Sequence, residues 1–200
     1  MFEAFQNGIS LGDISNIKQG LITANNNRFL RQWFEVEYHN INFNCSCCED
    51  TKNHFFKWVP QNKGGNYRKW YGNKDFIVNW LNDGFEIRNF KDKNGKIKSR
   101  PQNAHFYFKE SLSWSKISSS VTSFRYFSNG FIPNVAAGFI SLSEKYKYYV
   151  LGYLNSNISS QILRLISPTL NYNEGHIEAI PIIFNESFEN EIGIYLLIQF

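Results

Sequence analysis

Two helical repeats of apolar residues stand back to back in the last third of this 200-residue chain. Tyr146, Tyr149, Val150, Tyr153 and Leu154 follow i, i+3, i+4, i+7, i+8, the stripe of an amphipathic helix, and Ser143 stands where its N-cap belongs. Ile158, Ile162, Leu165 and Ile166 make a second stripe, which Pro168 stops because it lacks the N–H a helix needs. Upstream, short apolar runs are broken by turn residues. Residues 105–109 alternate, with Phe106 and Phe108 on one face of a predicted strand. Asp92, Lys93, Asn94 and Gly95 form a turn signal between strands. Asn25, Asn26 and Asn27 predict a tight turn, since Asn tolerates left-handed backbone. Residues 74–83 read as a further helix from the spacing of Phe76, Ile77, Trp80 and Leu81, with Gly84 as C-cap. A final strand is expected near residues 177–184.

The apolar fraction, 42%, supports one domain with a real core or two small halves sharing one, and excludes disorder. No run of about 18 uninterrupted apolar residues exists, so a membrane-spanning helix is not expected. MFEAFQNGIS has no basic stretch ahead of an apolar one, so no secretory signal is expected. The 3 cysteines crowd into Cys45, Cys47 and Cys48, within a polar segment at residues 39–54 that reads as a surface insertion. Their number and spacing suit reduced surface thiols in a cytoplasmic protein. Cys-x-Cys-Cys, even with His39 and His54 nearby, does not match the paired spacing of zinc sites. Beside His39, His54, His105 and His176 there is no local nucleophile motif. The closing apolar run at residues 192–200 reads as cut from something longer.

Charge is unevenly spread. The net charge is +4, but residues 57–116 hold 13 Lys and Arg against 5 Asp and Glu, leaving 8 against 12 elsewhere. Aromatic residues make up 18% of the chain. A basic middle carrying aromatics suits a polyanion, foremost nucleic acid. A solvated surface on a chain of AT-rich coding origin has the same composition, so composition alone leaves both readings open.

Specific segments narrow this. In order they are KQGLITANNNRFLRQWFEV (18–36), WVPQNKGGNYRKWYGN (58–73), NWLNDG (79–84), SRPQNAHFYFKESLSWSKISS (99–119), FRYFSNGFIPN (124–134), YYVLGYLNSN (148–157) and SPTLNYNEGHIEAIPI (167–182). Together these resemble the C-terminal specificity region of adenine-specific DNA methyltransferases, most of all the PglX-type enzymes of BREX phage-defence systems. The Taq-type and HsdS-type recognition domains are more distantly similar. The likeness covers residues 8–184. A Gly-Asp-Asn-like turn is expected after Thr23, where Ala24, Asn25 and Asn26 stand instead.

The resemblance implies an α+β fold: a twisted, mostly antiparallel sheet with long loops, one embedded helix and a C-terminal helical pair. Residues 1–142 would form the DNA target-recognition domain, with 39–54 as a variable insertion. Residues 143–200 would form a helical spacer or docking segment with a closing strand. The chain lacks the Asn-Pro-Pro-aromatic motif that holds a flipped adenine, and a Gly-rich methyl-donor motif. No cofactor is therefore expected in this chain, S-adenosylmethionine belonging to a separate catalytic part. The implied partners are double-stranded DNA, a methyltransferase catalytic domain or subunit and other defence-system proteins, with no membrane.

The candidate DNA-binding residues follow. Lys63, Arg68 and Lys69 beside Gly64 and Gly65 suit a phosphate, with a solvated hairpin tip as the alternative. Tyr71 joins them, while Trp70 and Trp80 suit packing more than stacking on a base. Asn73 is placed to cap the helix expected after it or to face DNA. Lys98 and Arg100, with Lys96, reach for a groove or form a charged turn. Ser113, Trp114, Ser115 and Arg125 fall in the most family-like stretch and carry a role at the backbone or target base, or a structural one. An aromatic-rich carbohydrate- or protein-binding module is the competing function, which the local positive charge disfavours.

Overall fold

A computed structural model describes residues 2–52, 54–118, 122–169 and 171–184. The expected cut at residues 192–200 lies outside them, as does the end of the proposed 143–200 segment. Its strands are β1 (Ile9–Ser10), β2 (Ser15–Gln19), β3 (Leu21–Ile22), β4 (Leu30–Gln32), β5 (Trp58–Asn62), β6 (Phe76–Asn79), β7 (Arg100–Pro101), β8 (Ser111–Ser115), β9 (Phe124–Phe127), β10 (Ile132–Pro133), β11 (Ala137–Leu142) and β12 (Pro181–Ile182). Its helices are α1 (Phe2–Asn7), α2 (Leu11–Ile14), α3 (Asn26–Phe29), α4 (Leu81–Arg88), α5 (Glu144–Leu154), α6 (Asn157–Ile166) and α7 (Glu174–Glu178). The fold is α+β.

Two four-stranded sheets organise the chain. One runs β2-β11-β8-β9 and is antiparallel throughout. The other runs β10-β5-β6-β4, with β10 parallel to β5 and the remaining pairs antiparallel. Two short antiparallel pairs, β1-β12 and β3-β7, complete the pairing. Alternation sorts the first sheet into two faces. Ile17, Leu112, Trp114, Phe124 and Ile140 point to one side and pack with Val150, Leu151, Leu154 and Leu163 of α5 and α6. Trp114 lies so close across β11 that a Cβ on Gly138 would come within 2.1 Å of its ring. Ser113, Ser115 and Arg125 point to the other side, toward the loop that follows β5. A second core gathers Leu21, Phe29, Val59, Val78, Trp80, Tyr107, Phe108 and Ile132 around the second sheet.

The helical pair forms as its spacing predicts, α5 starting after Ser143 and α6 ending before Ser167. The Ser143 side chain makes no capping bond, whereas Ser156 caps α6 through its hydroxyl. On α6 the buried residues are Ser159, Ile162 and Leu163, while Ile158 and Leu165 face outward. The Asp92–Gly95 turn also forms, closed by the antiparallel bridge between Lys91 and Ile97, with Gly95 at φ +80°.

Other local expectations are corrected. Residues 74–83 are not a helix. Residues 76–79 form β6, paired on both sides, and Asn82, Asp83 and Gly84 then turn through left-handed backbone. That turn folds Gly84 against the ring of Trp80, leaving only 85–88 in right-handed helix. Residues 105–109 are not a strand: 104–106 form a 3-10 turn, and Phe108 takes φ +66°. Neighbouring Tyr107 and Phe108 are thereby both buried, which alternation forbids. Residues 177–184 divide between α7, a turn and the two-residue β12. The 39–54 segment is not wholly superficial, since Ile41, Cys45 and Thr51 are buried. Cys45 is therefore a packed thiol rather than a surface one; burial, then the charge of Asp50, pushes it up to about 11. Burial first, then Asp83, pushes Cys48 up to about 12.

Candidate nucleic-acid interface

The loop after β5 sits on the polar face of the first sheet. Ser115 Oγ accepts from Gly65 N at 3.0 Å and donates to Gly65 O at 2.9 Å. Asn62 donates its amide to Ser113 Oγ at 2.6 Å and accepts from Gly64 N at 3.3 Å. Both glycine N–H groups are thus satisfied internally and do not form an amide cradle for phosphate. Gly64 is needed for a different reason. It takes φ +78°, and a Cβ there would meet Ser115 Oγ at 3.2 Å and Ala136 O at 3.3 Å.

Arg125 underlies this loop and is fully buried. Its guanidinium donates to Arg68 O and Ser123 Oγ, both at 3.2 Å, and to Ser115 Oγ at 3.0 Å. These acceptors are neutral, and its Nε has no partner among the described residues. Burial first, and the charge of Arg68 second, lowers the guanidinium to about 10, so it stays charged at neutral pH. Ser113, Trp114 and Arg125 have no solvent access and cannot meet a duplex in this conformation. They support the surface instead; Trp114 Nε1 donates to Tyr172 O at 2.8 Å. Asn73 is also buried. It donates to Asn66 O at 3.0 Å, closing the loop, and caps no helix, because β6 follows. Lys69 is tethered, its Nζ donating to Asn155 O at 2.7 Å. Trp80 is enclosed, and Trp70 packs against the first core while bridging to Arg125.

Lys63, Arg68, Tyr71, Lys98 and Arg100 remain accessible. The four cations among them make no ion pair with a described residue, whereas most acids of the basic stretch are engaged. Asp83 pairs with Arg88, Glu86 with Arg28 and Glu110 with Lys147. Asp92 accepts from the backbone of Asn94 and Lys96. Pairing within the fold therefore leaves the positive excess outside, where a polyanion would meet it.

Three hollows lie along this surface. A polar one of about 450 Å³ is lined by Arg31, Gln32, Lys63 and Phe76 among others. Lys63 also lines a second, of about 520 Å³, with Gly65, Ser115 and Lys116. Phe76 also lines a third, of about 440 Å³, walled by Trp33, Tyr38, Phe43 and Tyr71. Lys63 Nζ lies 4.3 Å from the Phe76 ring centroid, and between them these two side chains line all three hollows. The Arg100 strand connects through polar side chains: Gln19 donates to Gln102 at 3.4 Å and accepts from Lys116 at 3.2 Å. Lys116 in turn pairs with Glu174 at 2.5 Å. Sequence reading did not single out Trp33, Tyr38, Phe43, Lys74 and Phe76, which line the third hollow. They come from separate segments that the β4-β6 pairing, the Trp33 N to Asp75 O bond of 3.0 Å and the bridge from Ile41 to Trp58 bring together.

Among the described residues no group of three or more His, Cys, Asp or Glu is arranged to hold a metal ion. No helix among them is long and apolar enough to cross a membrane.

No family model matches the chain. It is 37% identical over 175 residues, 86% of its own length, to adenine-specific methyltransferase PglX of Lacticaseibacillus casei (strain Zhang). It is 33% identical over 165 residues, 81% of its length, to adenine-specific methyltransferase BrxX of Escherichia coli O9:H4 (strain HS). The chain is thus similar, over most of its own length, to one segment of adenine-specific methyltransferases, and it spans 14% and 12% of these two relatives.

Proposed function

We propose that this chain is the DNA target-recognition part of an adenine-specific methyltransferase of a BREX-type defence system. The observation that carries the reading is the accessible set Lys63, Arg68, Lys98 and Arg100, unpaired by any described acid, with Lys63 lining two hollows. Lys63 and Arg68 neutralise phosphates, while Arg100 on β7 reads a base edge. Methyl transfer to adenine N6, with S-adenosylmethionine as donor, belongs to a catalytic domain or subunit outside this chain. The α5–α6 pair serves as spacer or docking face toward it. The protein works in the cytoplasm, where its three unpaired cysteines stay reduced.

Substitution tests the assignment. Lys63→Ala and Arg68→Ala should each weaken binding to duplexes of any sequence and lower the salt slope by about 1. Arg100→Ala should relax preference at one position, read from a randomised-site selection. Wild-type affinity and slope in all three variants would remove this surface from DNA binding.

A further inference from the structure

The aromatic hollow has a composition that the phosphate contacts do not explain. Tyr38 and Phe43 stack at 5.2 Å with 29° between their planes, and Trp33 and Tyr71 complete the walls. Trp33, Tyr38 and Tyr71 are all more than two-fifths exposed, which leaves much of each ring in contact with water. Such large apolar surface stays open to water at a cost unless something planar covers it. Lys74 lies at its floor, with Nζ 3.9 Å from the Tyr71 ring centroid and 5.4 Å from that of Phe131. Lys74 is half-buried and pairs with no acid among the described residues. A resident ammonium repels a second cation, so this is not a cage for a quaternary amine. It favours a ligand that joins an aromatic plane to a negative charge. Phe76 and Lys63 connect the hollow to the basic surface, where a nucleic-acid strand would run.

Resting on the DNA-binding reading, we infer that this hollow takes one unstacked nucleotide, its base among Trp33, Tyr38 and Tyr71 and its phosphate toward Lys74. A paired base inside a helix shows no free face, so the hollow distinguishes DNA with an extrahelical nucleotide from perfect duplex. Ser128 and Asn129 also line the hollow and supply polar groups for the base edge.

The test compares two fluorescein-labelled duplexes, one fully paired and one identical but for a central single-nucleotide bulge, by anisotropy at fixed salt. The full chain is used, with a Trp33→Ala/Tyr38→Ala double variant whose fold is checked by circular dichroism. The inference predicts that the bulged duplex binds at least about fivefold tighter, the lower end of what one stacked base contributes. The double variant should lose that preference and keep its affinity for paired DNA. Equal affinity for both duplexes, or a preference that survives in the folded variant, overturns the nucleotide site and leaves the DNA-binding reading standing. Binding to neither duplex overturns both.

Discussion

Arg125 offers a way to separate volume from charge in the layer beneath the candidate interface. Its side chain fills space between the first sheet and the 63–73 loop, with neither a carboxylate partner nor a partner for its Nε among the described residues. In Arg125→Ala a large buried side chain disappears, a change that costs about 2–5 kcal/mol by cavity formation. Arg68 O also loses its donor, adding about 1–3 kcal/mol. Ser115 and Ser123 keep other partners. Relief of the buried charge offsets part of this, leaving a net loss of about 3 kcal/mol. Arg125→Met keeps most of the volume and removes the charge. Replacing a buried ion with an apolar side chain of similar size is often neutral or stabilising by about 1–4 kcal/mol, here set against the orphaned Arg68 carbonyl. The Met variant should therefore lie within about 1 kcal/mol of the parent. At a urea slope of about 2 kcal/mol/M the two variants should unfold about 1 M apart. If Arg125→Met unfolds as early as Arg125→Ala, the guanidinium bonds rather than the filled volume hold the loop, and the reasoning fails.

Ala24 holds φ +60°, a conformation costing an L-residue about 1–2 kcal/mol, and Ala24→Gly should raise the melting temperature by a few degrees after the larger unfolded-state entropy of Gly is subtracted. A lower melting temperature would show that Ala24 is not strained. The carboxyl of Glu110 is raised by burial but lowered further by bonds from Lys147 and Tyr126, both at 2.8 Å, so it ends below the ordinary carboxylate value. A lowered folded value contributes stability above the unfolded pKa of about 4.3, and that stability drains as pH falls through the folded value. Glu110→Gln should then cost stability near neutrality and flatten the acid limb in urea midpoints taken between about pH 3 and pH 7; parallel wild-type and variant profiles would contradict this.

The parts of the fold that were legible in sequence are those whose signal is local. The α5 and α6 stripes each span one element, and Asp92–Gly95 carries its turn within four residues. Residues 74–83 misled because β6 followed by a left-handed turn sets Phe76, Ile77, Trp80 and Leu81 at helix-like spacing. What distinguishes them is pairing to β4 and β5, which lies far away in sequence. The candidate site divides the same way. Lys63, Arg68, Lys98 and Arg100 stand out as candidates in the sequence because the charge excess is a property of one stretch. The burial of Arg125 was not legible, since the sequence does not show that Ser115 and Ser123 would supply its acceptors. Ala24 stands between these cases: the expected glycine-like turn is there in the backbone, but an alanine occupies it.

The central claim is that the positive excess left outside the fold engages the phosphates of duplex DNA. Fluorescence anisotropy of the purified chain with a randomised duplex, at about 50 and 200 mM salt, tests it most directly, because counterion release makes affinity fall steeply across that range. Several phosphate contacts predict a loss of at least about tenfold in affinity between the two salts. A folded sample that binds equally at both salts, or does not bind at all, would contradict it.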